Sequence, residues 1–181
     1  TRHIRTINKE GYLCFYGLYA SLNADYLLSH GADAVISGEY EQPLLDLICA
    51  LETDAPVMVP GVRTLHHTSP PHLAWQSFVK PDRSQLPDLK RYARLDTGHH
   101  TLLAGYTEAT RGCLHTCLHC PITPIYQGRF FVVPRDIVLA DIDQQVSLGA
   151  RHMTFGDPDF LNGPTHSLNV LHAMHEAHPD L

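Results

Sequence analysis

The chain has 181 residues, of which 44% are hydrophobic and 18% are charged, a composition that suits one ordinary domain or two small ones and excludes a disordered tail. Its formal net charge of −6 argues against nucleic-acid partners, which need a basic face. No apolar run reaches the roughly 20 residues that cross a bilayer, and no signal segment opens the chain, so we expect a cytoplasmic protein without membrane partners.

Strand and helix patterns alternate through residues 1–55. Short apolar runs at 12–16 and 34–36 predict buried strands, and apolar side chains at helical spacing predict helices at 21–30 and 43–51. The connections between these elements are short, which favours parallel strands with helices packed across them. Residues 1–55 are therefore expected to form the last part of an α/β doubly wound domain.

After residue 55 the apolar residues lose the regular spacing that predicts helices and strands, and they regain it after residue 100. Repeated prolines interrupt residues 56–100, which we expect to be a linker. Two further βα units are predicted within residues 101–181, with strands at 102–107 and 152–155 and helices at 134–149 and 165–177. These units predict the incomplete beginning of a second α/β domain.

The five cysteines fall into two groups. An odd number of cysteines in a chain without a secretion signal does not indicate a disulfide framework. Cys14 and Cys49 lie in apolar runs, which is typical of small buried thiols. Cys113, Cys117 and Cys120 crowd into one short loop directly after a predicted strand, and this spacing indicates a metal site.

Two metals fit the spacing Cys113-x3-Cys117-x2-Cys120. Three thiolates from one loop can converge on an iron–sulfur cluster and leave one iron open to an outside ligand. Zinc is the alternative, because His115 or His119 could complete a set of three cysteines and one histidine. The residues crowd together more closely than in most zinc motifs, which favours the cluster and leaves zinc open.

The three cysteines after the first strand of a βα pattern resemble the signature of the radical S-adenosylmethionine superfamily. The resemblance implies that Cys113, Cys117 and Cys120 bind a [4Fe–4S] cluster and that the domain begins a partial TIM-type barrel. It also implies cleavage of S-adenosylmethionine with an electron from a donor such as flavodoxin or ferredoxin. The substrate, a small molecule or a peptide, is not identified by these residues.

Further cofactor contacts follow from the same resemblance. Gly156 and Asp157 end the second predicted strand, where the family has a glycine-and-acid turn that holds the amino group of S-adenosylmethionine. By themselves these residues are more typical of an ordinary turn, and the cysteines one βα unit earlier favour the functional interpretation. His119 stands before the third cysteine, where the family commonly has an aromatic residue near the adenine, so a histidine there is a departure.

The first half of the chain is similar to the cobalamin-binding domains that precede some of these barrels. The similarity lies in residues 17–21 and 31–41, whose loops would face the corrin. The Asp-x-His-x-x-Gly segment that supplies the lower cobalt ligand in many relatives is absent from this chain. The resemblance therefore implies a cobalamin-like fold and leaves open whether cobalamin binds.

Two functions remain as hypotheses. The first is a radical S-adenosylmethionine enzyme, and the second is a non-catalytic module stabilised by zinc or an iron–sulfur cluster. Because the chain begins at Thr1 and ends at Leu181 without a closing element, we expect it to be a fragment that is inactive alone. No catalytic side chain beyond the cluster ligands is predicted.

Overall fold

The computed structural model describes residues 1–181, apart from the side chain at position 2. Two compact units form: the first comprises residues 1–75 and 115–129, and the second comprises residues 76–114 and 130–181. Each unit has a sheet and a hydrophobic core of its own. Within the described residues, no helix combines the length and the apolarity needed to cross a membrane.

The first unit contains a three-stranded sheet with helices on both faces. The strands are β1 (Cys14–Tyr16), β2 (Ala34–Ile36) and β3 (Val62–Arg63), in the order β1-β2-β3. β1 and β2 are parallel, with Cys14 opposite Ala34, whereas β3 runs antiparallel to β2. The helices are α1 (Arg2–Ile7), α2 (Leu18–Leu22), α3 (Ala24–Ser29), α4 (Glu41–Glu52) and α5 (Thr123–Tyr126).

Strand β2 is buried on both faces because helices cover each of them. Ala34 and Ile36 pack with Leu47 of α4, whereas Val35 packs with Leu28 of α3 on the opposite face. Alternate side chains of one strand thus enter two cores, as a doubly wound sheet requires. The predicted doubly wound architecture is confirmed.

The two isolated cysteines differ in their surroundings. Cys14 lies half-buried against the core of the first unit, as expected. Burial raises the pKa of its thiol to about 11, and the nearby Asp33 carboxylate adds to the rise. Cys49 is exposed, so its prediction as a buried thiol is wrong. It follows the buried Leu47 by two positions on α4, and two helical positions carry a side chain to the other side of the helix.

The second unit is built on the sheet β4-β5-β8. Its strands are β4 (Arg94–Asp96), β5 (Thr101–Thr107) and β8 (His152–Phe155), and its helices are α6 (Arg135–Ser147) and α7 (Pro164–Ala177). β5 and β8 are parallel, with Ala104 opposite His152, and β4 is antiparallel to β5. These bounds confirm both predicted βα units to within two residues at each end.

The two faces of β5 have different partners. Leu103 packs into the core that α6 and α7 form with Met153 of β8. Ala104 and Tyr106 alternate with this face and point to the other side of the sheet. In a βα barrel, helices cover the outside and the opposite face lines the interior. Tyr106 thus lies on the interior side, at the carboxyl end of its strand.

A short hairpin carries the segment that contains the three cysteines. Its strands are β6 (Thr110–Gly112) and β7 (Phe130–Val132), which pair antiparallel with Gly112 opposite Phe130. Both strands belong to the second unit, whereas residues 115–129 between them pack with the first unit. The sequence does not predict this hairpin because its strands are short and carry no alternating pattern.

Candidate functional site

The three predicted metal ligands stand in different local environments. Cys113 follows β6 directly and is buried, whereas Cys117 is exposed and Cys120 is half-buried. All three are free thiols rather than disulfides. Cys113 belongs to the second unit, and Cys117 and Cys120 belong to the first. The donor set, three thiols with no disulfide partner, fits the chemistry of a three-cysteine cluster.

The described side chains do not come together as a finished metal site. Among them, no group of three histidines, cysteines, aspartates or glutamates has an arrangement that could hold a metal ion. The assignment of Cys113, Cys117 and Cys120 as ligands therefore stays a prediction.

A turn and a short helix order the chain around Cys117 and Cys120. The Cys120 amide donates to the Cys117 carbonyl at 3.2 Å, and the Thr123 hydroxyl donates to the same carbonyl at 3.1 Å. Helix α5 follows and ends at Gln127, whose φ of 51° lies in the left-handed region. Arg129, beyond the helix, donates to the Leu73 carbonyl at 3.3 Å.

The same segment is tied to the first unit by a buried carboxylate. Glu39 is 2% exposed and accepts a hydrogen bond of 2.8 Å from the Tyr126 hydroxyl. Its own amide donates to the His72 carbonyl at 2.8 Å. A side chain on Gly38 would overlap that carbonyl, so the turn requires glycine. The Gly38-Glu39 turn, which the family resemblance places opposite a corrin, thus also holds the chain that carries two of the cysteines.

On the second unit, Asp157 holds the chain in front of Cys113. Its carboxylate accepts from the Ala109 amide at 3.2 Å and from the Thr110 hydroxyl. Asp157 follows β8, and Thr110 begins β6, so this carboxylate joins the end of β8 to the hairpin. Contact between Asp157 and S-adenosylmethionine stays a prediction, and the structure gives the carboxylate a positioning role.

The chain is also held just after Cys113. Asn162 lies in the 3-10 turn Phe160–Asn162 that follows β8. Its side-chain carbonyl accepts from the Leu114 amide at 2.5 Å, and its amide group donates to Asp159. The loop after β8 therefore accepts hydrogen bonds from the backbone before Cys113, at Ala109, and after it, at Leu114.

Gly156 lies under an aromatic ring that the sequence analysis did not single out. A Cβ atom at this position would overlap the Tyr106 phenol, so the close approach requires glycine. The Tyr106 hydroxyl lies 3.4 Å from the Gly156 carbonyl and 3.1 Å from a carboxylate oxygen of Glu108. The alternation of the predicted strand 102–107 could have placed Tyr106 opposite the helix-facing side chains, but it carries no information about Gly156.

The charge and burial around Tyr106 favour its protonated form. Although the ring is half exposed, partial burial raises the pKa of the phenol above its ordinary value. The negative charge of Glu108 and its hydrogen bond to the phenol add to the rise. The phenol is therefore a hydrogen-bond donor at neutral pH.

His119, the remaining predicted cofactor contact, is exposed on the cysteine segment. It belongs to the first unit, whereas Gly156 and Asp157 belong to the second. Its contact with an adenine ring stays a prediction.

Comparison with known proteins identifies the fold. No family model and no curated protein matches the sequence. Two solved structures of TsrM from Kitasatospora setae, described as a radical S-adenosylmethionine methyltransferase, do match in three dimensions. One, with tryptophan substrate and an S-adenosylmethionine analogue bound, has a TM-score of 0.78 at 20% identity. The other, with cobalamin and a [4Fe–4S] cluster bound, has a TM-score of 0.71 at 18% identity.

These matches cover 99% of this chain and 37% of each TsrM chain. Nearly the whole chain is therefore similar in fold to a little over a third of a larger protein. The expected α/β fold class, a partial cobalamin-binding-like and radical S-adenosylmethionine architecture, is confirmed.

Proposed function

We propose that this chain is the cluster-binding part of a radical S-adenosylmethionine enzyme. The observation that supports the proposal is the spacing Cys113-x3-Cys117-x2-Cys120 in a chain whose fold is similar to that of TsrM over 99% of its length. Asp157 and Asn162, in the loop after β8, accept hydrogen bonds from the backbone before and after Cys113. These contacts hold the backbone around Cys113 beside the turn that follows β8, and βα barrels place their active sites at this end of the strands.

The three thiolates would bind a [4Fe–4S] cluster, with one iron left for S-adenosylmethionine. When bound, the cluster supplies the electron that breaks the sulfur–C5′ bond of S-adenosylmethionine and starts radical chemistry on the substrate. The chain's own residues would bind the cluster and orient S-adenosylmethionine. Asp157 fixes the hairpin in front of Cys113, the Gly156 backbone offers a carbonyl to the ligand's amino group, and His119 offers a ring to the adenine.

Cobalamin is the second cofactor that we propose, at the carboxyl edge of the doubly wound sheet. Ligands of such sheets bind outside the carboxyl ends of the strands. There, the Ser21 hydroxyl contacts the carbonyls of Gly17 and Ile36 at 3.0 and 3.4 Å, which orders the loop between β1 and α2. Since the chain has no Asp-x-His-x-x-Gly segment, it supplies no histidine of that motif to the cobalt.

Anaerobic reconstitution of the full-length protein with iron and sulfide tests the proposal. We expect about four irons per chain and reductive conversion of S-adenosylmethionine to 5′-deoxyadenosine. Cys117→Ser should abolish both, because one of three ligands is lost, whereas Cys49→Ser should change neither, since that exposed cysteine is remote in sequence from the motif. One tightly bound zinc without cleavage would instead establish the structural-module alternative.

The same reconstituted protein can be used to test the proposed electron donor, cobalamin and the substrate. Reduced flavodoxin or ferredoxin should support cleavage in place of a chemical reductant, as the proposal of a protein electron donor requires. Cobalamin binding is read from the visible absorption of the corrin after gel filtration. A protein that cleaves S-adenosylmethionine but retains no cobalamin would contradict the proposed cobalamin site and leave the proposed radical activity unaffected. The substrate, a small molecule or a peptide, is sought by following its consumption together with 5′-deoxyadenosine formation.

A further inference from the structure

A buried ring nitrogen in the second unit has no hydrogen-bond partner. His166 is half-buried as a residue, but its Nε2 atom is shielded from solvent and has no hydrogen-bond partner among the described residues. Buried polar atoms of folded proteins are hydrogen-bonded with few exceptions, and a redox or ligand-binding role is one recognised cause of an exception. The atom therefore indicates a partner that the protein chain does not itself supply.

The position of His166 is set by the start of helix α7. It lies in the first turn of Pro164–Ala177, and the side chains of a helix lean toward its amino-terminal end. A Cβ atom on Gly163, the residue before the helix, would stand 3.8 Å from the His166 Cβ atom and 3.3 Å from the Phe130 ring. His166 and Phe130 thus both lie beside the same glycine.

The chain before α7 also borders Cys113, which is 7% exposed. Gly112, the residue before this cysteine, pairs with Phe130. Leu114, the residue after it, donates its amide to the Asn162 side chain at 2.5 Å. All of these residues belong to the second unit. The unpartnered nitrogen and the buried thiol therefore lie in one neighbourhood of that unit.

A cluster bound at Cys113 would bring hydrogen-bond acceptors to this neighbourhood. Thiolate and sulfide sulfurs carry negative charge and accept hydrogen bonds. A neutral imidazole has one N–H, and the hydrogen bonds of the ring decide which nitrogen carries it. Hydrogen bonds to the sulfurs are among the factors that set the reduction potential of an iron–sulfur cluster. Since reduction adds one negative charge, a donor stabilises the reduced form more than the oxidised form and raises the potential.

We propose that the His166 Nε2–H donates a hydrogen bond to a sulfur atom of the cluster at Cys113 and raises the reduction potential of that cluster. This inference rests on the proposed function, in which the cluster must accept an electron before S-adenosylmethionine is cleaved. His166 ligates no iron. It sets how readily the cluster takes that electron from its donor.

Anaerobic redox titration of the reconstituted full-length protein, followed by the electron paramagnetic resonance signal of the reduced cluster, tests this assignment. His166→Leu removes the donor, and His166→Gln keeps an N–H on a side chain of similar reach. His166→Leu should lower the ratio of reduced to oxidised cluster about tenfold at a fixed potential, which is about 59 mV for one electron. His166→Gln should stay near the wild type. His172→Leu, at an exposed histidine of the same helix, is the matched control and should leave the potential unchanged.

Urea denaturation of the metal-free proteins separates a contact with the cluster from packing. Because His166→Leu removes a buried polar atom that has no partner, this variant should unfold at the urea concentration of the wild type or at a higher one. A marked loss of stability in the metal-free variant would show that the ring only packs. An unchanged potential in His166→Leu, or the same shift in His166→Leu and His166→Gln, would show that no N–H reaches the cluster.

Each of these results would overturn the inference and leave the proposed function standing. Wild-type protein that binds zinc and assembles no cluster would overturn both.

Discussion

At the scale of single residues, the neighbours Gly156 and Asp157 have different structural roles. The sequence pattern groups the two as one glycine-and-acid turn. In the structure, the glycine makes room for Tyr106, and the carboxylate of Asp157 accepts from the chain in front of Cys113. Neither partner is close in sequence, so the pattern could place the turn but could not assign these separate tasks.

Asp157→Asn should destabilise the second unit. The asparagine retains one acceptor oxygen but turns an amide group toward either the Ala109 amide or the Thr110 hydroxyl, which removes a hydrogen bond to a charged group. We expect a loss of about 1.5–3 kcal/mol in the free energy of unfolding, measured by urea denaturation. Asp180→Asn, at an exposed aspartate near the end of the chain, should stay within about 0.5 kcal/mol of the wild type. Equal stabilities for the two variants would show that Asp157 does not hold the hairpin.

The two isolated cysteines should differ in their reactivity. Only the thiolate reacts with iodoacetamide, and the pKa of about 11 keeps Cys14 protonated at pH 8. The exposed Cys49 should therefore be alkylated about tenfold faster than Cys14 or more, as followed by peptide mass spectrometry. Denaturant should remove the difference. Raising the pH through the range from 9 to 11 should accelerate Cys14 alkylation, because its thiol ionises there. A pH-independent rate would contradict the raised pKa.

At the scale of elements, strand β5 is closed along part of one edge by side chains. Strand β4 pairs with β5 at Thr101–Leu103. Beyond that point, the Gln145 side chain accepts from the Tyr106 amide at 2.8 Å and donates to the Tyr106 carbonyl at 3.0 Å. A side-chain amide thus replaces a neighbouring strand. Arg83 adds a bond of 3.1 Å to the same carbonyl, and the buried Asp141 binds both Arg83 and Gln145.

Gln145→Leu should be strongly destabilising. Gln145 is 1% exposed, and its removal would leave the partly buried Tyr106 amide without this acceptor. We expect a loss of about 1–3 kcal/mol in urea denaturation, since a donor left without a partner costs more than the bond itself contributes. The neighbouring Gln144→Leu removes only a bond of 2.9 Å to the Pro81 carbonyl and should cost about 1 kcal/mol or less. If the two losses were equal, the edge of β5 would not depend on Gln145.

Tyr126→Phe should loosen helix α5 without unfolding the first unit. The change removes the hydroxyl that binds the buried Glu39, a bond to a charged group of about 1.5–3 kcal/mol. Hydrogen exchange should accelerate in residues 123–129 and remain slow in β2. Tyr19→Phe, at an exposed tyrosine, is the control and should change neither region. Faster exchange throughout the first unit would show that Tyr126 supports the core rather than the cysteine segment.

Sequence periodicity predicted these elements unevenly. The strands at 34–36 and 152–155 and the helix at 165–177 agree with their predicted bounds to within one residue, because a glycine or proline stands near each of their ends. The single helix predicted at 21–30 is instead α2 and α3, which meet at Asn23. The Asn23 side chain donates to the Tyr19 carbonyl at 2.7 Å, a local bond that competes with helix continuation. Strands β6 and β7 were not predicted because each has only three residues and the two are separated by 17 residues of the chain.

At the scale of the whole molecule, neither core depends on the predicted metal ligands. Cys113, Cys117 and Cys120 are absent from all three hydrophobic clusters of the described residues. The double variant Cys117→Ser/Cys120→Ser should therefore lose cluster binding and keep the far-ultraviolet circular dichroism and the melting temperature of the metal-free wild type. Collapse of the spectrum in the variant would show that these thiols contribute to folding itself.

The pairing of Gly112 with Phe130 has a consequence for how this architecture can vary. The segment that carries the cysteines leaves the second unit and returns to it at neighbouring positions of one hairpin. Its length is therefore not coupled to the spacing of β5 and β8, and the entropic cost of closing a loop rises only slowly with length. Insertions within the exposed residues 115–119 should therefore leave the pairing of β6 with β7 intact. The chain between the two strands can thus vary in length while the two strands keep their register.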